Sequence, residues 1–352
     1  MSTIVIIGAG MMGSAMSVPA SDNGHTVRIV GTHLDREIIE HARKTSRHLT
    51  MRRELPKSNR YYQLEELREA LDGADFVICG VSSFGVDWFL EQAVPGIPSK
   101  LPVLMVTKGL LDHPDGTLET FPHFLARKSF RPGLFSAVGG PCTSYELADR
   151  QHSAVAFCGE DTGALRMFRD ALRTSYYHIS LSSDVTGVET AVAMKNAYAL
   201  AVSLAIGLHE KEFGEGGVLA YNPQAALFGQ SVKEMRRMLK LTGGGDENIL
   251  YAAGDLYVTV FGGRTRKLGV LLGRGLTIGQ ALEELQGITL ESVAIAGRTV
   301  RAIHALAERG LANIGDFPLL IHIGQLLEGG TTVNIPWQAF EGEDLDGSGR
   351  DD

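Results

Sequence analysis

Five short runs rich in valine and isoleucine mark the first half of the chain: TIVIIG, TVRIVG, DFVICGV, PVLMVTKG and SAVAFCG. Each is bounded by Gly, Asp or Pro and is apolar at consecutive positions. A strand apolar on both faces needs cover on both faces, which a parallel sheet between helices provides. The intervening segments, such as LDREIIEHARKT and QLEELREALDG, read as amphipathic helices. Strand and helix in alternation is the doubly wound α/β pattern. After Asp184 the strand runs stop, and helical patterns take over at 185–208, 223–240, 277–285, 289–309 and 316–328. HEKEFGEGGVLAYNP (209–223) reads as a loop between two of these helices. The ending EGEDLDGSGRDD (341–352), acidic and rich in glycine, is expected to be disordered.

Directly after the first strand comes GAGMMG, with Gly8, Gly10 and Gly13 at the opening of a helical pattern. Such a motif carries little weight alone, but here it follows a strand, precedes a helix and is followed by a second strand. In that setting Gly8 makes the tight turn, Gly10 lets the backbone approach a pyrophosphate, and Gly13 allows the helix close to the sheet. The chain is therefore expected to be an α/β protein with an N-terminal Rossmann dinucleotide-binding domain at 1–184 and an all-α domain at 185–340. Pro19 falls inside the first helix and should kink or shorten it. The second strand ends in Gly31-Thr32-His33, with no acid where one would hold a ribose hydroxyl. Asp35 comes slightly late, and His33 or Arg36 could face a 2′-phosphate, so NAD and NADP both stay open.

A chain of 352 residues suits two domains. Its formal charge of −8 argues against nucleic acid or an anionic membrane as the main partner. Three cysteines (Cys79, Cys142, Cys158) and eleven histidines without paired spacing indicate neither a disulfide framework nor a metal site. No secretory signal opens the chain, and Lys195 and Asn196 break the best candidate membrane span, so the expectation is a cytoplasmic protein. The long apolar helices suit a homodimer.

GVETAVAMKNAYALAVSLAIG (187–207) reads as one long helix with Lys195 on a face shared by Ala191, Val192, Ala199 and Val202. No carboxylate lies three or four residues to either side. A lysine among alanines either snorkels to water or is held for chemistry. Arg264 and Arg266 follow Gly262 and Gly263 in a turn suited to anions. Cys142 reads as a small residue beside the cofactor rather than a nucleophile.

Four segments then line up behind the glycine motif: VTKGL (106–110), GGPCTSYE (139–146), DVTGVETAVAMKN (184–196) and GDLYVTVFGGRTRKLG (254–269). In this order they resemble the NAD(P)-dependent glycerol-3-phosphate dehydrogenases, and the likeness continues through LGRGLTIGQALEELQGITLESVAIA (272–296). It spans all but the tail. The resemblance implies an oxidoreductase of glycerol phosphate and carbohydrate metabolism that interconverts glycerol 3-phosphate and dihydroxyacetone phosphate with NAD or NADP. It assigns catalysis to Lys195, Lys108 and Asp255: a partly desolvated Lys195 would exchange a proton near neutrality, Lys108 would depress its pKa further and polarise the carbonyl of a ketone, and Asp255 could orient the ammonium. It assigns substrate binding to Asn196, Thr259, Arg264 and Thr265, with Arg264 offering a planar fork for a dianion. It implies cofactor contacts from Gly8, Gly10, Met11, Met12, Gly13, Thr32, His33, Ser82, Cys142, Arg264 and Glu291. Thr265 stands where the family commonly has Asn, Cys142-Thr143-Ser144 replaces Ser-Phe-Ala, and Asn222-Pro223-Gln224-Ala225-Ala226 departs from Asn-x-Lys-Ala-Ala. These departures keep two alternatives in view: a dehydrogenase for another phosphorylated or anionic polyol, and a non-catalytic dinucleotide sensor. A sensor would need neither lysine.

Overall fold

The computed structural model describes residues 1–215, 220–287 and 290–341. Its contacts divide the chain into two compact units. The first comprises Met1–Leu111, Leu118–Lys195 and Leu239–Val258; the second comprises Asp112–Thr117, Asn196–Met238 and Thr259–Asp352.

Among the described residues ten strands are formed: β1 (Thr3–Ile7), β2 (Thr26–Val30), β3 (Arg60–Tyr62), β4 (Phe76–Cys79), β5 (Val103–Met105), β6 (Leu110–Asp112), β7 (Leu118–Thr120), β8 (Phe135–Gly139), β9 (Ser153–Cys158) and β10 (Tyr177–Ser182). Eight make one sheet in the order β10-β9-β8-β5-β4-β1-β2-β3, and β6 pairs with β7. From β3 to β8 every pairing is parallel. That portion has the strand order of the dinucleotide-binding fold, whose ligand crevice lies where the order reverses, beside β1. β9 runs antiparallel to β8, and β10 parallel to β9.

Alternate residues of β1 feed two separate cores: Ile4 and Ile6 join Ile29, Ile78, Phe157 and Phe168, while Val5 and Ile7 join Val77, Val103, Met105 and Phe89. This is why the strand runs are apolar at consecutive rather than alternate positions. The five expected strands are all present. β3, β8 and β10 of the large sheet and the β6–β7 pair are additional: RYY is too short to pattern, and YHISLS is polar along one edge of the sheet.

The first helix (Met11–Asp22) is not shortened by Pro19 but runs three residues past it. The ring removes one donor, and the turns around it are supported by buried Ser17, whose hydroxyl donates to the Ser14 carbonyl at 2.6 Å. The helix expected over 185–208 is two helices, Val185–Ala193 and Lys195–Phe213, which meet at Met194. Much of the expected 209–223 loop is also helical. HEKEF continues the second of these helices to Phe213, and the next helix is Tyr221–Thr242, with Pro223 in its first turn where its missing donor is harmless. Residues 216–219 of that segment, and 342–352 of the acidic tail, lie outside the described residues. Two further helices, Ile249–Val260 and Gly263–Gly273, carry the GDLYVTVFGGRTRKLG segment.

In the second unit, Lys195–Phe213 and Gly263–Gly273 approach until their backbones touch. A Cβ on Gly269 would lie 2.5 Å from the Leu200 carbonyl oxygen, and one on Gly207 would lie 2.1 Å from that of Val270. The stretch Val185–Phe213 is long and apolar enough to cross a membrane, but 83% of its most apolar window is buried within the protein, the environment of a core helix.

Candidate active site

The strand-to-helix turn after β1 is built from glycines because backbones leave no room for side chains. Gly8 has φ +105°, and a Cβ there would meet the Gly80 carbonyl carbon at 2.8 Å. Gly13 passes over the Gly8 carbonyl, where a Cβ would stand 2.4 Å from the oxygen. Gly80, after β4, closes the same point against Gly13 Cα. Gly10 differs. A Cβ there would meet only the Gly80 oxygen, at 3.7 Å. The fold tolerates a side chain at Gly10, and the space above it is what a ligand would fill. The helix starting at Met11 brings its free N–H groups and partial positive charge to the same place. These features fit a dinucleotide pyrophosphate.

A cavity of about 310 Å³ opens over this turn, lined by Gly8, Gly10, Thr32, His33, Asp35 and Ser82 together with Gly80, Phe84 and Trp88. Five of the expected cofactor residues therefore share one wall. Met11 is partly exposed at the helix start, and Met12 packs into the core. Two residues outside the expected cofactor set hold the loop itself: Asp35, weighed in the sequence only as a late acid for the ribose, and His48. The Asp35 carboxylate accepts from Ala9 N–H at 3.1 Å and from the N–H and hydroxyl of Thr32 at 2.9 and 2.8 Å. On the other side of Ala9, buried His48 donates from Nε2 to the carbonyl at 2.9 Å while its Nδ1 accepts from Met51 N–H. That pattern requires neutral imidazole, and burial holds its pKa below the usual histidine value. Nothing in the spacing of His48 marks this role. Arg36 pairs with Glu65, and the His33 ring lies 5.6 Å from that of Trp88.

The lysines meet in the first unit. Lys195 donates to Asp255 Oδ1 at 2.8 Å, and Lys108 donates to Asp255 Oδ2 and, at 2.9 Å, to the Gly140 carbonyl. Asp255 is fully buried, whereas each lysine side chain keeps 17% of its surface exposed. Lys195 is thus paired, by a carboxylate sixty residues away rather than by one on its own helix. The local chain explains the convergence. Lys108 precedes Gly109, where a Cβ would strike the Phe121 ring at 2.7 Å, and Gly254 lies against Pro141, with Cβ-to-ring distances from 3.1 Å. Cys142 is close enough to feel all three charges, but burial dominates and pushes its thiol up to about 11. That is the opposite of an activated nucleophile.

Asn196, Thr259, Arg264, Thr265 and Glu291 belong to the second unit. Asn196 follows Lys195 in the first turn of its helix, and Thr259 lies at the end of Ile249–Val260. Arg264 is exposed in the first turn of Gly263–Gly273, while Thr265 beside it is buried. Glu291 opens the helix Glu291–Glu308. Arg266 donates to the Val260 carbonyl at 3.0 Å and so ties the turn rather than offering a fork to an anion. Among the described residues no group of three or more His, Cys, Asp and Glu side chains could hold a metal ion.

A glycine-loop cavity on this strand order, carried by the same unit as two lysines sharing one carboxylate, defines a Rossmann-type NAD(P)-dependent oxidoreductase. Comparison with known proteins narrows the class. The descriptions NAD-dependent glycerol-3-phosphate dehydrogenase N-terminus and C-terminus match residues 3–164 and 184–337. The chain belongs to that family. It is 32% identical to the NADP(+)-dependent glycerol-3-phosphate dehydrogenase of Archaeoglobus fulgidus over 80% of this chain and 83% of the relative. It is 28% identical to the glycerol-3-phosphate dehydrogenase [NAD(P)+] of Shouchella clausii over 88% and 87%. A solved glycerol-3-phosphate dehydrogenase from Coxiella burnetii shares the fold, with a TM-score of 0.76 at 22% identity over 96% of this chain and 97% of that one.

Proposed function

We propose that the protein reduces dihydroxyacetone phosphate to glycerol 3-phosphate, reversibly, with Lys195 as proton donor and acceptor. The observation that carries this reading is the bridge from Asp255 to both Lys108 and Lys195. A buried carboxylate that takes one ammonium on each oxygen fixes both nitrogens, so a carbonyl oxygen placed between them meets a donor without reorganisation. When bound, the dinucleotide supplies the hydride for the carbonyl carbon. Lys195 delivers the proton to the developing alkoxide, and Lys108 stabilises the negative charge on that oxygen. Asp255 holds the ammonium form of Lys195 before transfer and receives it again after reprotonation. Arg264, with Thr259 and Asn196, is assigned to the substrate phosphate, where an exposed guanidinium can reach a dianion bidentately.

A panel of ketone phosphates assayed with NADH and NADPH tests the assignment. Dihydroxyacetone phosphate is expected to give the highest kcat/KM. A larger value for another phosphorylated polyol precursor would move the substrate within the family, and binding without turnover of any ketone would favour the sensor. We also infer a cytoplasmic homodimer. Free thiols at Cys79, Cys142 and Cys158 suit a reducing compartment, and exposed Leu250, Tyr257 and Phe261 supply apolar surface for association. Sedimentation of the purified chain decides the oligomeric state.

A further inference from the structure

Glu189 lies six positions before Lys195, on the helix Val185–Ala193. It is completely buried, and neither carboxylate oxygen has a hydrogen-bond partner among the described residues. An ionised carboxylate in that setting pays a desolvation cost with no hydrogen bond to offset it, so the group takes up a proton instead. The charged and titratable groups that bear on it are Lys108, which favours its ionised form, Asp255, which opposes it, and Cys158 at the end of β9. Asp184, at the start of the same helix, bears on Cys158 in turn. Burial is the largest influence and pushes Glu189 up to about 8.

We propose that Glu189 is a positioning residue for the lysine cluster: it stands protonated while the enzyme works and leaves Lys108, Lys195 and Asp255 one net positive charge to offer an anionic substrate. Two ammonium groups against one carboxylate give that single charge, and ionisation of Glu189 cancels it. A dianionic substrate then meets a neutral cluster. The glutamate acts on catalysis through the lysines and touches neither substrate nor cofactor. The inference deepens the dihydroxyacetone phosphate reading and rests on it for the substrate, but the protonation state of Glu189 stands by itself.

The test combines kinetics with spectroscopy on the full-length enzyme. In wild type, kcat/KM for dihydroxyacetone phosphate is expected to fall about tenfold between pH 7 and pH 9, as the protonated fraction falls. In Glu189→Gln, a permanently neutral isostere, the profile should vary less than about threefold over the same range. Glu189→Met should be equally flat and serves if the Gln variant does not fold. The infrared spectrum of wild type at pH 7 should contain a protonated carboxyl stretch that disappears by pH 9.5 and is missing from either variant. An alkaline limb unchanged in the variants overturns the proposal, as does a wild-type spectrum at pH 7 without that band. If the substrate is inactive in every form while the band titrates as described, the substrate assignment fails and the protonation of Glu189 is upheld.

Discussion

Asp255 and Lys195 are joined at 2.8 Å across sixty residues of chain, and the same carboxylate also receives Lys108. The pairing settles how a lysine can sit among Ala191, Ala199 and Val202 without a carboxylate on its own helix. Its ammonium is paired with a carboxylate carried on Ile249–Val260, which it shares with Lys108, and 17% of its side chain stays exposed.

Replacing the proton donor should separate chemistry from binding. Lys195→Met is expected to lower kcat by about a hundredfold or more, the scale of general acid–base catalysis, with NADH affinity unchanged. A variant that keeps half of wild-type turnover would remove Lys195 from the mechanism.

Asp255→Asn leaves two ammonium groups facing a neutral amide. Breaking a fully buried ion pair costs about 3–5 kcal/mol, and roughly 2 is expected here because both lysines can swing toward water. Turnover should fall together with stability. Urea unfolding alongside steady-state kinetics measures both, and a loss of stability with normal kcat would make Asp255 purely structural.

At the glycine loop the predictions concern the cofactor. Gly10→Val should fold normally, because its Cβ has space, yet weaken both NADH and NADPH in fluorescence titrations. His48→Phe should also weaken both dinucleotides, by about tenfold, through loss of the hydrogen bond that holds the Ala9 carbonyl. Undiminished affinity in Gly10→Val would place the pyrophosphate elsewhere.

Glu189 gives a stability prediction with a definite sign. Its folded pKa of about 8 lies above the ordinary 4.5, so between these values the unfolded chain has lost a proton that the folded one keeps. Wild-type stability from this group therefore declines as pH rises from about 4.5 to 8. Glu189→Gln lacks the decline, so its melting temperature relative to wild type should rise from pH 5 to pH 8. A constant difference would contradict the shift.

Much of this was legible in the linear chain, for identifiable reasons. Long apolar runs announce themselves, so β1, β2, β4, β5 and β9 could be read directly, whereas FSAVG in β8 is just as buried but is interrupted by Ser136 and closes on Gly139 and Gly140. A three-residue strand such as β3, or a polar edge such as β10, carries too little pattern. GDLYVTVFGGRTRKLG stands out as a motif, while Gly262 and Gly263 in its middle break the apolar period that would mark the helices on either side. Lys108, Lys195 and Asp255 could be chosen as candidates, but their shared hydrogen bonds are a product of tertiary folding. His48 and Glu189 left no signal, since a lone histidine or glutamate looks the same in sequence whether buried or solvated.

The contact among Gly8, Gly13 and Gly80 has a consequence for anyone redesigning cofactor use. Three segments converge where none has a side chain to surrender, so a change at one position has no compensating change at the other two. Selection and engineering alike are left with the rest of the cavity lining. Altered dinucleotide preference should therefore arise at Thr32, His33 and Trp88, around a glycine contact that cannot drift.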